Sequence, residues 1–592
     1  MNDSMSLCNF VDTSGHYTYY SDVRKNLSQG EGYYGGFHQP IQTNSVIKTI
    51  IKIKLFILDF FKKTPFKNII LTILSIPTIF ILGSKLFVQF VSGSSYSREL
   101  FPNIFLNTEI PSDETRNFRV CGDSDSLVCE DSMESFQWKK ELIQSAKKNI
   151  VLSGNYCGGS SLDEILELME GKLQQKVEII LLSSSKFLTE KNKKNITSLK
   201  KRFPSLFTVV PTDDIWTINP GLKKVTNHTK GLSIDNGAYF LTGGSGIENK
   251  YAYEKGIGDQ DLKKRDQNEG SALMKRFLPR AFRDMDFVFK SPPLADRSER
   301  NLINVGAHFH YEILKLANLW NNYNRRLKKY DANAARNIKR TLQEFKMDPV
   351  KNYNTILPKF DRNQKKRINR KCFTQIFSTG PEHSENPFLE AVIRRIDQAR
   401  NRIFINHMYF HPNAKLLKSL SEAGNRGVKI TIVTNDYQKF SPGGHKFFGP
   451  RNKYNCYKLA RTIKAPFRKN FRVFAYGQKY HNTPRKTTLH SKAIVVDNCV
   501  IAGNSNIGFK SLESMSDHEI NFITDSKRMA NATIRVFEKN INKKRIATTV
   551  EKIPIRGKKQ VPLSRRINPR RELTFKEMIF SMWHSILSPL IG

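Results

Sequence analysis

Two stretches of the 592-residue chain combine the residue types and spacing that phosphate chemistry needs. The first, NHTKGLSIDNGAYFLTGGSG, holds His228, Lys230 and Asp235; the second, LHSKAIVVDNCVIAGNSNIG, holds His490, Lys492 and Asp497. Both space these residues as H-x-K-x4-D inside an alternating apolar pattern that predicts a strand. Residues two apart on a strand face the same side, so each stretch offers an imidazole and an ammonium to one pocket. An imidazole can attack phosphorus or move a proton, and an ammonium offsets charge on phosphoryl oxygens. Each strand leads through a turn to a second strand ending in small residues: Gly243, Gly244 and Ser245, or Gly503, Asn504, Ser505 and Asn506. Small residues permit close backbone approach and offer N–H and O–H donors, so Gly244, Ser245, Ser505 and Asn506 are the expected phosphate-binding positions. A lone HxK arises easily by chance; two in one chain with the same following turn do not.

The elements that must position these residues also come in two copies. FQWKKELIQSAKKNIVLSGNYCGG (136–159) and PFLEAVIRRIDQARNRIFINHMYFHP (387–412) each read as an amphipathic helix, a basic turn and an apolar strand ending near Tyr156 or Tyr409. A second helix and a second apolar run follow in each, KVEIILLSS and VKITIVTND. Helix and strand alternating at matched intervals predicts α/β units with a largely parallel sheet, in two related halves.

Charge and the chain ends bound the partners. Lys and Arg number 96 against 54 Asp and Glu, a formal +42, which attracts phosphates in nucleic acid or on anionic membranes. From Tyr437 to Leu489 there is no acid, and basic residues interleave with aromatics, as at a rim that docks anionic headgroups or at a surface on which single-stranded bases stack. Residues 69–84 carry no charge, and with Lys85 snorkelling the apolar span reaches Val91, enough for one membrane-inserted helix. Residues 551–576 are basic and proline-punctuated, and lead into an amphipathic segment bearing Trp583, which reads as a membrane-surface anchor or a helix docked on the core. Seven cysteines without a CxxC argue against a disulfide framework, and the His308/His310 pair lacks partners for a zinc set, so no metal is expected.

With these residues in view, the chain resembles the phospholipase D superfamily, whose pattern is a duplicated HxKxxxxD followed by a Gly-Ser-x-Asn turn. The resemblance spans about 132–545, and GFKS (508–511) with SDHEINF (516–522) looks most like phospholipase D-like proteins of intracellular bacterial pathogens. Gly246 departs from the turn's Asn, and the spacing from Asp235 to Gly243 is one residue long while that from Asp497 to Gly503 is one short. The resemblance implies one active site at the interface of the halves, with no cofactor and no metal. It implies His228 as nucleophile and His490 as general acid and base, although the residues themselves fit either order. It implies Lys230 and Lys492 on the phosphoryl oxygens, and Asp284 and Glu519 as acids that orient the histidines from the opposite motif. Asp235 and Asp497 are expected to hold structure.

The expected organisation is a polar arm (1–45), a hydrophobic membrane-associated segment (46–95), a linker (96–131), a first half (132–335), a connector (336–380), a second half (381–550), and a basic linker with amphipathic helix (551–592). The leading functional expectation is metal-independent hydrolysis of glycerophospholipids to phosphatidic acid through a phosphohistidine, by a monomeric unit on an anionic membrane surface. A cardiolipin-synthase-like phosphatidyltransferase, a nuclease of the same superfamily and a non-catalytic membrane or nucleic-acid tether are the alternatives, and nucleic acid is the less favoured partner. The pathogen likeness adds secretion by a bacterium into a host cell, with binding to host membranes.

Overall fold

The computed structural model describes residues 105–106, 121–217, 223–252, 281–291, 304–329, 331–347, 355, 357, 360, 368–435, 444–476, 487–541 and 564–567. The chain divides into Met1–Gly83 and Ser84–Gly592, and every described residue lies in the second unit.

The first half begins with β1 (Cys121–Val128) and α1 (Ser132–Ser145). Asp131 starts α1 by accepting the Glu134 amide at 2.9 Å, which satisfies one of the N–H groups that the first turn leaves open. Then come β2 (Asn149–Gly154), α2 (Gly159–Gln174), β3 (Glu178–Ser183), α3 (Glu190–Arg202) and β4 (Phe207–Pro211). These three strands pair in parallel, as helical crossovers require. The chain continues through β5 (Lys223–Asn227), β6 (Lys230–Ile234), β7 (Tyr239–Gly243), β8 (Ala281–Arg283) and β9 (Asp286–Lys290). Here β6 lies antiparallel to β2, β7 to β6, and β9 to both β7 and β1.

The long helix α4 (Val305–Arg326) buries Phe309, Ile313 and Trp320 in a core shared by both halves. β10 (Asn369–Thr379) pairs antiparallel with β1 and so joins the two sheets. The second half repeats the order with α5 (Pro387–Asp397), β11 (Arg402–His407), α6 (Ala414–Asn425), β12 (Lys429–Asn435), α7 (Gly444–Thr462) and β13 (Phe471–Tyr476). It closes with β14 (Thr487–Leu489), β15 (Lys492–Val496), β16 (Cys499–Gly503) and β17 (Asp517–Asp525). The trio β11–β12–β13 is parallel, whereas β15 on β11, β16 on β15, and β17 on both β16 and β10 are antiparallel.

The expectation of mostly parallel sheets is therefore corrected. The sheet is mixed and largely antiparallel, flanked by helices. Helix and strand alternation reports only the parallel trio of each half. The strands bearing the two motifs are hairpins, and a hairpin is antiparallel by construction. The hairpin loops also explain the unequal motif spacing. Ile234 pairs with Tyr239 across a four-residue loop, and Val496 pairs with Cys499 across two residues. The following strands are equally long, so Gly243 and Gly503 end up in equivalent places.

Two further parts of the architectural expectation concern the ends of the chain. Among the described residues no helix is long and apolar enough to cross a membrane, and the hydrophobic segment 46–95 lies outside them. In the basic C-terminal stretch, β18 (Ser564–Ile567) pairs antiparallel with β13, so that part of the tail is an edge strand of the second half. The amphipathic segment 573–590 lies outside the described residues.

Candidate active site

The two histidines follow β5 and β14, and each of these strands pairs in parallel with a strand of the opposite half. Asp517 and His518 of β17 lie beside Thr226 and Asn227, and the His228 amide donates to the His518 carbonyl at 3.0 Å. Ala281–Arg283 of β8 lie beside Thr487–Leu489, and the His490 amide donates to the Arg283 carbonyl at 2.8 Å. The next residue in each partner strand is an acid. His228 Nδ1 stands 2.8 Å from Glu519 Oε1, and His490 Nδ1 stands 2.6 Å from Asp284 Oδ2. Each half thus supplies the carboxylate that fixes the other half's imidazole, the arrangement that sets which ring nitrogen carries the proton.

The lysines follow two residues later on β6 and β15, with Lys230 Nζ and Lys492 Nζ each donating to the histidine carbonyl at 2.7 Å. His228, Lys230, His490, Lys492, Asp284 and Glu519 are all buried. Burial, then Lys230 and Lys492, pulls His228 well below the usual imidazole value, so it rests neutral. Burial, then Asp517, pushes the Glu519 carboxyl up to about 8. Glu519 also accepts from Ser505 Oγ at 2.6 Å and Ser511 Oγ at 2.9 Å. When Glu519 is ionised, with both oxygens so engaged, His228 Nδ1 is the donor and its lone pair lies on Nε2. Burial raises Asp284 to about 6, lowers Lys230 to about 7 and lowers Lys492 to about 8.

The two histidines have different surroundings. Phe282 stacks on the His490 ring at 4.8 Å with 6° between planes, and Tyr251 meets it edge-on at 5.5 Å. The position equivalent to Phe282, two residues before the acid, is Asp517 beside His228, ion-paired to Lys510 at 2.6 Å. The sequence reading assigned no role to Phe282, Tyr251, Lys510 or Ser511: Phe282 and Tyr251 meet His490 across the halves, whereas Lys510 and Ser511 meet Asp517 and Glu519 within the second half.

In the turns, the backbone amides at the expected phosphate-binding positions bond within the protein. The Gly244 amide donates to Met285 O at 3.3 Å, the Ser245 amide to Asp286 Oδ1 at 3.0 Å, and the Ser505 amide to Asn521 Oδ1 at 2.9 Å. The Asn506 amide donates to Ser511 Oγ at 3.1 Å. These amides are engaged within the protein, which leaves the Ser245 hydroxyl, the Asn506 side chain, the lysines and the ring nitrogens to meet a phosphate. Gly246 stands where the pattern has Asn because a Cβ there would press on Tyr156. Asp235 accepts the amides of Lys147 and Lys148 at 2.9 and 2.7 Å, and Asp497 those of Asn401 and Arg402, both at 2.9 Å. Both aspartates thereby tie a hairpin loop to the turn that precedes the first parallel strand.

Among the described residues, the side chains close enough to share a metal ion are His228, Asp517 and Glu519, with ligand atoms within 4.8 Å, and each also has a protein partner. His310 donates or accepts at Ser233 Oγ, 2.9 Å away, and is fully buried on α4, so the H-x-H pair belongs to the core. Lys464, Arg468, Lys469 and Arg472 are exposed but lie where β13 starts, the end of the sheet opposite His407 and Lys492. Strands of six residues separate the two ends by roughly 20 Å, so this part of the acid-free stretch does not rim the histidine site.

Residues 392–541 match the family model described as "Cardiolipin synthase, PLD-like domain". A cardiolipin synthase of Clostridium perfringens (strain 13 / Type A) is 26% identical over 196 residues, covering 30% of this chain and 36% of its own length. Cardiolipin synthase A of Buchnera aphidicola subsp. Schizaphis graminum (strain Sg) is 25% identical over 184 residues, covering 31% of this chain and 33% of its own. The chain thus spans about a third of the length of these curated relatives. The crystal structure of phosphatidylserine synthase from Haemophilus influenzae Rd KW20 aligns over 79% of this chain and 94% of that one, at 12% identity and a TM-score of 0.48. By the family model and these relatives, residues 392–541 are similar to a phospholipase D-like domain.

Proposed function

We propose that this protein transfers a phosphatidyl group between glycerophospholipids through a phosphohistidine. The observation that carries the reading is the reciprocal pairing of His228 with Glu519 and His490 with Asp284, beside two buried lysines. His228 Nε2 attacks phosphorus and forms a P–N bond, while the P–O bond to the leaving alcohol breaks and His490 gives that oxygen its proton. An acceptor alcohol then loses its proton to His490 and attacks phosphorus, breaking the P–N bond and restoring His228. Lys230 and Lys492 hold the non-bridging oxygens, and the arriving anion favours their charged forms. The neutral resting state of His228 suits it to attack.

Transfer is preferred over the expected hydrolysis to phosphatidic acid because the matched relatives carry the name cardiolipin synthase. The substrate is then a glycerophospholipid, the acceptor a second lipid's hydroxyl, and the site of action a lipid surface. The likeness to pathogen proteins would put that surface inside a host cell. The full chain incubated with phosphatidylglycerol vesicles should form cardiolipin and glycerol. Phosphatidic acid as the main product would return the reading to hydrolysis, and no lipid product from wild-type protein would sink both.

A further inference from the structure

The two turns after the motif strands match in register and in their amide-to-carbonyl bonds. Gly243 lies opposite Asp286 as Gly503 lies opposite Asn521. The amides of Gly244 and Asn504 each donate to the carbonyl before that partner, Met285 O and Ile520 O, both at 3.3 Å. Yet one position holds glycine and the other asparagine. A Cβ on Gly244 would overlap Asp284 Oδ1, so the short aspartate of that half occupies the space a side chain would need. In the other half the longer Glu519 carries its carboxylate out to Ser505 and Ser511, and room remains for a side chain at 504.

Asn504 uses that room to reach across the halves. It is fully buried, and its Nδ2 donates to Lys230 O at 3.1 Å and Gly243 O at 2.6 Å, while its Oδ1 accepts the Ile520 amide at 3.1 Å. One end is thus bonded to the residue bearing a candidate phosphate-binding ammonium, and the other to the residue beside Glu519. All hydrogen-bonding capacity drawn on here is satisfied, which favours one geometry over nearby alternatives.

We propose that Asn504 is a positioning residue, a single strut between the halves that sets Lys230 and the Gly243 turn at a fixed distance from Glu519 and the His228 it orients. Only one strut fits, because Asp284 fills the symmetric place. The kinetic consequence rests on the phosphatidyl-transfer reading; the structural one does not. Misplacement of reacting groups by about 1 Å can slow turnover on the order of 10²-fold. N504A should therefore lower kcat by about 10- to 100-fold with KM within about threefold of wild type, since the lysines and pocket walls remain. N504D keeps the acceptor for Ile520 but turns an oxygen toward two carbonyl oxygens, so it should lower kcat further.

The test uses the full chain in two arms. Turnover of phosphatidylglycerol vesicles is measured for wild type, N504A and N504D, and amide exchange is followed in peptides covering 228–244, 516–522 and the remote strands 149–154 and 178–183. Faster exchange in 228–244 and 516–522 alone, with the kcat loss, supports the strut. Wild-type kcat in N504A, unchanged exchange, or an equal rise in the remote strands overturns it. If wild type forms no lipid product the transfer reading fails, and the exchange arm still decides the role of Asn504.

Discussion

Glu519→Gln removes a titratable carboxyl from the histidine site and keeps its shape. In the native site Oε1 accepts from His228 Nδ1 at 2.8 Å and Ser511 Oγ at 2.9 Å, and Oε2 accepts from Ser505 Oγ at 2.6 Å. The glutamine amide can keep its oxygen toward His228 and turn its NH2 toward Ser505, whose hydroxyl then accepts. A hydrogen bond to a charged group contributes about 1.5–3 kcal/mol and one between neutral groups about 0.5–1.5. Above about pH 8, where the native carboxyl is ionised, the loss is then about 1–1.5 kcal/mol, or on the order of tenfold in kcat. Glu519→Ala leaves Nδ1 without its acceptor and frees the tautomer, so a loss of about 10²–10³-fold is expected there. Stability moves the other way. The Glu519 carboxyl titrates near 8 in the fold against 4.5 as the ordinary value, so its protonated form stabilises the native state below 4.5 and that contribution is lost as pH rises through 8. Glutamine does not titrate, so E519Q should gain melting temperature relative to wild type steadily from pH 5 to 8. Initial rates of lipid product formation above pH 8 and thermal melts from pH 5 to 8 check both halves. A kcat above pH 8 within twofold of wild type, or a melting difference flat in pH, would refute the reasoning.

Asp284→Asn should lower kcat about tenfold by the same comparison of charged and neutral bonds, leaving the fold intact; circular dichroism and initial rates decide. Gly244→Ala should cost activity at least as severely as Asp284→Ala, because the new Cβ displaces the Asp284 carboxylate from His490; a G244A protein with wild-type rates would contradict the packing. Burial sets Lys230 near 7 and Lys492 near 8, and a lowered lysine loses its charge as pH rises through that value, so kcat/KM should fall from pH 7 to 9. Lys492→Met should lower kcat about 10²-fold or more, the scale of removing one group that stabilises transition-state charge, and a loss seen only in KM would assign that lysine to binding alone.

The motif positions were legible because their spacing is local, although His228 and His490 sit just before the strands that begin at Lys230 and Lys492 rather than within them. The parallel trios were legible for the same reason. The balance of the sheet was misread because the hairpins after Asp235 and Asp497 extend each trio with antiparallel strands, and β1 and β10 then join the halves. The acids are another matter. Asp284 lies 206 residues from His490 and Glu519 lies 291 residues from His228, so no spacing carries those pairings and only the family resemblance named them. Asn504 was visible as a small polar residue of a turn, but its bonds run to Lys230 and Gly243, and nothing local marks it. Ser564–Ile567 reads as a basic linker because the β13 edge that it covers is 88 or more residues away in the chain.

The central claim is that one site built from both halves forms a phosphohistidine on His228. Full-length His490→Asn and His228→Asn proteins, incubated with a phosphatidyl ester of p-nitrophenol, rapidly quenched and mapped by peptide mass, test it most directly. The nitrophenolate leaves without a proton, while resolution of the P–N bond lacks the His490 base, so the H490N protein should accumulate a phosphatidyl adduct on the peptide carrying His228, and H228N should carry none. An adduct on His490 in the H228N protein, or lipid turnover persisting in both variants with no adduct in either, would contradict the account.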